Sequence, residues 1–348
     1  MKRICVWLVL AVLTLSIIGI GCKREDTGVN PAVPKEESIK LGYNANVVIN
    51  AHLGLILKQS NIFEVAKIKG DAKAYDSDAA LIEDFSKGLI NVAFTSDVPG
   101  ILGLAKSGDG LILASFGSLG RVGLMKRPDV QAGFIKDLKG LRIAVEKGTI
   151  NHFYLLKWLA EEGIIPDKDL TVIKSDAGNI KSNLANRTAD AAVFSDPDIR
   201  LSELTGAHTR IADGRFTSMV IMKKELYTKN PEMVKKLLES IKTACCYLIA
   251  HQVESNNMVG KTQKIQADLI PSLAALNSVY VAGSPERINI SPKNYIGIWN
   301  SIANYLYNEK LIATQVDLNN FINAALLQET EKKIGVNEID LTKIKVNK

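Results

Sequence analysis

The sequence is poor in the residues from which metal centres and disulfide frameworks are built. It contains only four Cys and four His among 348 residues, and the histidines stand far apart. No pair of cysteines has Cys-x-x-Cys spacing, so neither a metal site nor a disulfide scaffold is expected. Cys245 and Cys246 are adjacent within a helical pattern. A bond between them would strain the helix, and at least one should be a small buried residue.

The motifs of several enzyme classes are also missing. Gly-x-Ser-x-Gly, Gly-x-x-x-x-Gly-Lys-Ser/Thr and a convincing Gly-x-Gly-x-x-Gly do not occur. We therefore predict no catalytic residues and no cofactor, and we do not expect an enzyme. The charge excludes a further class, because 43 Lys+Arg against 37 Asp+Glu give a formal net charge of only +6, without a block of like charges. Nucleic-acid binding is not expected of such a mild, interspersed charge.

The amino terminus has the organisation of an export signal. Two basic residues precede seventeen uncharged, mostly apolar residues, which predicts a signal peptide at residues 1–21. The segment Gly19-Ile20-Gly21-Cys22 resembles the bacterial lipobox, which implies a lipidated Cys22 and a tether at residues 22–37. The alternative is an uncleaved anchor, because the apolar run reaches the lower limit for crossing a bilayer. Both interpretations place the rest of the chain outside the cytoplasm, attached to a membrane.

Residues 38–217 alternate short apolar runs with helical patterns, which is typical of an α/β fold with mostly parallel strands. The apolar runs consist almost entirely of Val, Ile, Leu, Ala and Phe, as expected of strands covered on both faces. The predicted strands occupy residues 38–41, 92–95, 111–115, 141–145, 170–174 and 191–194. After residue 217 the patterns are mostly helical.

Two strand-like runs, at 122–126 and 219–222, flank a self-contained α/β segment. This arrangement predicts an inserted lobe joined by two crossovers, which would act as a hinge. The predicted division is a first lobe at residues 38–122 and 217–255, a second lobe at 123–216, and a helical C-terminal region at 256–348 packed on the first lobe.

Polar residues follow the predicted strands, at the edge where ligands collect in open parallel sheets. The candidate ligand-binding residues are Tyr43, Asn44, Asn46, Asn50, His52, Thr95, Ser96, Asp97, Gly148, Thr149, Asn151, His152, Ser195 and Asp196. Some have a purely structural alternative. Tyr43 could be a core aromatic, and His152 could be a buried, hydrogen-bonded residue.

Gly148 and Thr149 precede an amphipathic helix, whose unpaired first-turn amides and dipole favour a small anion. The alternative is an ordinary N-cap, in which Thr149 itself accepts hydrogen bonds from those amides. Asp196 before Pro197 has a similar alternative, since Asp-Pro commonly opens a turn or caps a helix.

Residues 87–99 (KGLINVAFTSDVP), 137–149 (DLKGLRIAVEKGT) and 190–197 (DAAVFSDP) resemble a known family. It comprises the substrate-binding proteins of ABC importers for alkanesulfonates, nitrate and taurine, including relatives that bind thiamine-pyrimidine precursors. The resemblance covers about residues 38–255. It implies a type II periplasmic-binding-protein fold, which has two lobes with mostly parallel sheets, two hinge crossovers and, in this chain, a helical C-terminal region.

The resemblance also implies a function and a site. Its ligand positions map onto Tyr43, Asn44 and Asn46, and onto residues 95–97, 149–152 and 195–196. The ligand would be small and polar, such as a sulfonate, nitrate or taurine, although acidic residues in the site would also suit a cationic or neutral remainder. The implied partners are this ligand, the permease of an ABC importer, and the membrane through the lipid anchor. The protein is expected to be a monomer.

Two other classes of function stay open. A ligand-sensing or partner-binding surface lipoprotein would use the same cleft without transport. An enzyme related to thiamine-precursor synthesis would need a reactive Lys and a reactive His in the cleft. Export argues against such an enzyme, because the metabolites involved are cytoplasmic.

Overall fold

The computed structural model describes residues 37–262, 268–275 and 289–347, and Ser38–Lys348 form one compact unit. The predicted signal peptide and Cys22 lie outside the described residues. Within the described ranges, no helix combines the length and the apolar character needed to cross a bilayer.

The strands and helices alternate through the first two thirds of the chain. The strands are β1 (Ile39–Asn44), β2 (Gly70–Tyr75), β3 (Val92–Ser96), β4 (Gly110–Ala114), β5 (Ser118–Lys126), β6 (Arg142–Val145), β7 (Thr171–Lys174), β8 (Ala191–Ser195) and β9 (Thr209–Lys223). The helices are α1 (Val48–Gln59), α2 (Ile62–Val65), α3 (Asp78–Ser86), α4 (Asp97–Ser107), α5 (Ile150–Glu161), α6 (Ala177–Ala185), α7 (Asp198–Thr205), α8 (Lys224–Lys229), α9 (Pro231–Ala250), α10 (Gln252–Thr262), α11 (Ile270–Ala274), α12 (Ile296–Asn308) and α13 (Ala324–Glu331).

The strands form two parallel groups that β9 joins. In the first sheet, β1 pairs in parallel with β2 and β3, and the end of β9 pairs antiparallel with β3 and β4. In the second sheet, β6 pairs in parallel with β7 and β8, and β5 pairs antiparallel with β8 and with the start of β9. The predicted α/β fold class is thus confirmed.

The chain crosses between the sheets twice, at residues 115–117 and within β9. Thr217 is the last β9 residue paired with β5, and Ser218 is the first paired with β3. The second sheet begins at Ser118, a few residues before the predicted lobe boundary at 122/123, while the second crossing lies beside the predicted 216/217 boundary. Helices α1 and α9 cover one face of the first sheet, and α3 and α4 cover the other.

The C-terminal region packs more widely than the sequence predicts. Its apolar stripe puts Trp299, Ile302 and Leu306 of α12 into the core. This stripe covers the face shared by α4 and α5, so α12 contacts a helix of each sheet rather than the first lobe alone. The boundaries at 255/256 and 122/123 otherwise stay predictions.

Helix α9 holds the two cysteines of the folded body. Cys245 and Cys246 are both fully buried free thiols, in agreement with the expectation from their helical pattern. They face the apolar core around α1 and the C-terminal segments. Both therefore act as small core residues.

Candidate functional site

A groove of about 740 Å³ lies where the two sheets meet, at the ends of strands from both. Helices α3 and α4 form one wall, and the residues that begin α5 form the other. Its apolar lining comes from Ile82, Val98, Pro99, Leu102 and Ile150, and its polar lining includes Asp78, Ser96, Asp97 and Thr149. A groove of this size, with an apolar surface and a few polar groups, suits a small organic ligand.

Asp78, the first residue of α3, organises the polar end of the groove. Its carboxylate accepts hydrogen bonds from Thr95 Oγ1 at 2.7 Å and from Ser96 Oγ at 2.9 Å, and a further one from the Asn44 side chain. Burial raises the pKa of this carboxyl group. Three predicted site residues thus converge on an acidic residue that the sequence reading missed.

Asp97 begins α4 and lies 1% exposed at the same end of the groove. Its carboxylate accepts from the Thr217 amide at 2.9 Å, from Thr217 Oγ1 at 3.2 Å and from the Val98 amide at 2.9 Å. Burial, with a smaller contribution from the nearby Asp78, raises its pKa to about 6, against the opposing effect of the hydrogen bonds from Thr217 and Val98. Asp97 therefore connects the groove wall to the point where β9 passes between the sheets.

The start of α5 does not form the ordinary N-cap. Thr149 Oγ1 donates to the Glu146 carbonyl at 2.7 Å and makes no capping hydrogen bond to the helix amides. The hydroxyl of Tyr305, from α12, instead accepts from the Gly148 amide and lies 2.8 Å from His152 Nδ1. His152 is a buried, hydrogen-bonded residue, and its burial lowers the pKa of its imidazole and favours the neutral form.

The remaining second-lobe residues make internal contacts. Ser195 Oγ donates to Asn151 Oδ1 at 2.6 Å, joining the end of β8 to α5. Asp196 is 5% exposed at its side chain and forms a bidentate ion pair with Arg121, with both N···O distances at 3.0 Å. Arg121 also pairs with Glu203. The Asp196 carboxylate is thus already paired with the Arg121 guanidinium of the same chain.

Four of the predicted residues in the first lobe point elsewhere. Tyr43 is fully buried, and its ring occupies the space beside Gly54 in α1. His52 is also buried; its Nε2 lies 2.9 Å from Asn256 Oδ1 of α10, and burial lowers its pKa to about 4. The side-chain Nδ2 of Asn46 donates to the Asp76 carbonyl, and that of Asn50 donates to the Phe94 carbonyl. A ligand role for these residues stays a prediction that no contact supports.

The sequence carried weak signals for the residues that were missed. Asp78 follows Ser77, whose hydroxyl caps α3. In the sequence, this pair therefore indicates the start of a helix rather than a ligand-binding site. Tyr305 lies in a separate C-terminal helix, about 150 residues from its partners. In the part of the chain that the structure describes, no group of His, Cys, Asp and Glu is arranged to hold a metal ion.

Comparison with known structures defines the class of fold. The chain resembles the periplasmic aliphatic sulphonate binding protein SsuA of Escherichia coli, with a TM-score of 0.68 and 18% identity over 82% of this chain and 92% of that one. It also resembles a mutant of DszB in complex with biphenyl-2-sulfinic acid, with a TM-score of 0.64 and 14% identity over 84% of this chain and 99% of that one. The fold is that of the periplasmic binding proteins.

Sequence comparison adds a partial match to a family model. Residues 99–255, somewhat less than half of the chain, match the model described as NMT1/THI5 like. A protein of Brucella abortus, named provisionally as a binding protein, is 27% identical over 237 residues, which cover 65% of this chain and 72% of that protein. The family resemblance predicted from the three sequence segments is confirmed.

Proposed function

We propose that this protein is an extracytoplasmic solute receptor that binds a small polar ligand between its two lobes and delivers it to the permease of an ABC importer. The observation that carries the proposal is the groove between α3, α4 and the start of α5, which is lined by residues that end or follow a strand of each sheet. A ligand that contacts both walls binds the closed arrangement better than the open one, and it shifts the equilibrium towards closure by that difference in affinity.

The chemistry of the two walls constrains the ligand. Asp78 and Asp97 place two carboxyl groups at one end of the groove, whose lining also includes Glu83, Lys87 and Lys106. The start of α5 presents backbone donors and the positive end of a helix dipole. An oxyanion directed towards α5, with a cationic or neutral remainder, suits this arrangement better than an anion on every side. A taurine-like zwitterion therefore fits the proposal better than nitrate.

Attachment to the membrane belongs to the same proposal. The E. coli protein that shares the fold is periplasmic, and the apolar run followed by Cys22 in this chain has the form of a lipoprotein signal. A lipid on Cys22 would keep the receptor beside its permease. The tether of residues 22–37 would give the folded body the reach to dock.

The test is thermal stabilisation of the chain from Lys23 onward, which contains the whole compact unit, by a panel of sulfonates, nitrate, taurine, thiamine precursors, amines and aromatic acids. A ligand at 100 times its dissociation constant adds roughly 2.7 kcal/mol to the free energy of unfolding. Ser96→Ala removes a hydroxyl from the groove, and Ser107→Ala at the other end of α4 is the matched control.

A compound that stabilises the wild type and Ser107→Ala but not Ser96→Ala supports a receptor with its site in this groove. A panel without effect on a cooperatively unfolding protein contradicts a receptor for these classes. It would favour a partner-binding lipoprotein, or an enzyme such as the desulfurization enzyme DszB that shares the fold.

A further inference from the structure

Helix α12 lies outside the segment that matches the family model and is attached at the crossing between the sheets. Trp299 is fully buried, and its Nε1 donates to Thr217 Oγ1 at 2.8 Å. Thr217 in turn donates to Asp97 of α4, and the next residue, Ser218, donates from its amide to the Gly117 carbonyl at 2.8 Å. One end of α12 is therefore fixed to the β9 crossover, and that crossover is itself bonded to the other crossover and to the groove wall of the first sheet.

The other end of α12 is attached to the groove wall of the second sheet. Tyr305 contacts the Gly148 amide and His152, and its ring packs edge-on against Phe153 with centroids 5.6 Å apart. Glu309, just after the helix, lies 3.3 Å from Lys147 Nζ. These contacts hold the loop between β6 and α5, which contributes Gly148 and Thr149 to the groove, and the start of α5, which contributes Ile150.

The two attachments belong to one rigid element. Trp299 and Tyr305 are six residues apart, or about 9 Å along a helix axis. A rotation of the second sheet about the Thr217–Ser218 crossing must carry α12 with it or break one of the two sets of hydrogen bonds. The Trp299–Thr217 and Tyr305–His152 hydrogen bonds are buried, so breaking either one leaves polar groups without partners.

We propose that α12 is a strap that couples the hinge to the ligand loop of the second sheet. Trp299 and Tyr305 are then positioning residues: they set the position of the groove's second wall without lining the groove themselves. The coupling is a property of the chain without ligand. It can therefore be tested independently of whether the protein is a receptor.

The test is site-resolved amide hydrogen exchange of the chain from Lys23 onward. Trp299→Phe keeps an aromatic ring but removes the indole N–H. Thr217→Val removes the acceptor of that hydrogen bond, and with it the bond from Thr217 Oγ1 to Asp97. It serves as the second variant should Trp299→Phe fold poorly. Tyr307→Phe is the control, because Tyr307 lies on the same helix but is 41% exposed.

If α12 acts as a strap, Trp299→Phe and Thr217→Val accelerate amide exchange by about tenfold at residues 150–153. These residues begin α5 and lie beside the far end of α12, where Tyr305 contacts them. Tyr305→Phe accelerates exchange there and also at residues 216–219, and Tyr307→Phe changes neither region. Acceleration confined to the region around each substituted residue would overturn the proposal, since it would show that the two attachments are independent.

Discussion

At the scale of single residues, several polar groups that follow the strands are used to hold the fold together. Asp196 is the clearest case. Its carboxylate is paired with Arg121, which lies 75 residues earlier, and this contact cannot be predicted from the sequence. Substituting Asp196 would therefore disturb folding as well as any ligand. Ser96, whose hydroxyl both lines the groove and donates to Asp78, is a better probe of the site.

Breaking the Arg121 pair tests this interpretation. Arg121→Met leaves the Asp196 carboxylate buried without a cation, and losing one partner of such a pair typically costs about 3–5 kcal/mol of the free energy of unfolding. Urea denaturation measures the loss. Arg187→Met is the control, because its pair with Asp129 is largely exposed and should matter little. Equal effects of the two substitutions would contradict a structural role for Asp196.

The raised pKa of Asp97 predicts a dependence of stability on pH. Its pKa rises from 3.8 to about 6 on folding, so the folded state binds this proton more tightly than the unfolded state. The resulting stabilisation is complete below pH 4 and is lost as the pH rises through 6, by on the order of 3 kcal/mol.

Denaturation of the wild type and of Asp97→Asn at pH 4 and pH 7 measures this contribution. The wild type should lose stability relative to the variant over that interval. Carboxylates that do not interact with Asp97 titrate in both proteins, so their effects cancel in the difference. A difference that stays constant with pH would show that folding does not raise the pKa of Asp97.

At the scale of elements, the predictable strands are those whose residues are almost all apolar. The runs that form β3, β4, β6 and β8 are recognisable because both faces are covered. Strand β2 escapes prediction because it lies at the edge of the sheet with half of its residues exposed. Helix α4 contains Gly100 and Gly103, and close contacts with Met219 and Ile82 require small residues there.

The two adjacent cysteines of α9 give a prediction at this scale. Burial raises the pKa of the Cys246 thiol to about 12 and raises that of Cys245 as well, so neither forms a reactive thiolate at neutral pH. In the chain from Lys23 onward, a thiol-reactive disulfide reagent should label neither residue in buffer and both in strong denaturant. Rapid labelling of the native protein would show that α9 opens locally or packs less tightly.

At the scale of the whole molecule, the spacing of the strand-like runs predicts a two-lobed body. The sequence could not predict that α12 joins α4 and α5, because that contact depends on side chains far apart in the chain. The same limit applies to the groove. Of the two acidic residues at the end of the groove, the sequence predicts only Asp97. Asp78 comes close to it only in the folded chain.

The attachment of the molecule to a membrane is a prediction from the sequence alone. If Cys22 carries the lipid, bacteria that express the full chain with an alkyne-bearing fatty acid should incorporate the label, and the protein should fractionate with membranes. Cys22→Ser should abolish the label, whereas Cys5→Ser, which changes a cysteine inside the predicted signal, should keep it. A Cys22→Ser protein that stays unlabelled but membrane-bound would point to the uncleaved apolar run as the anchor. Label retained in Cys22→Ser would contradict lipidation at this residue.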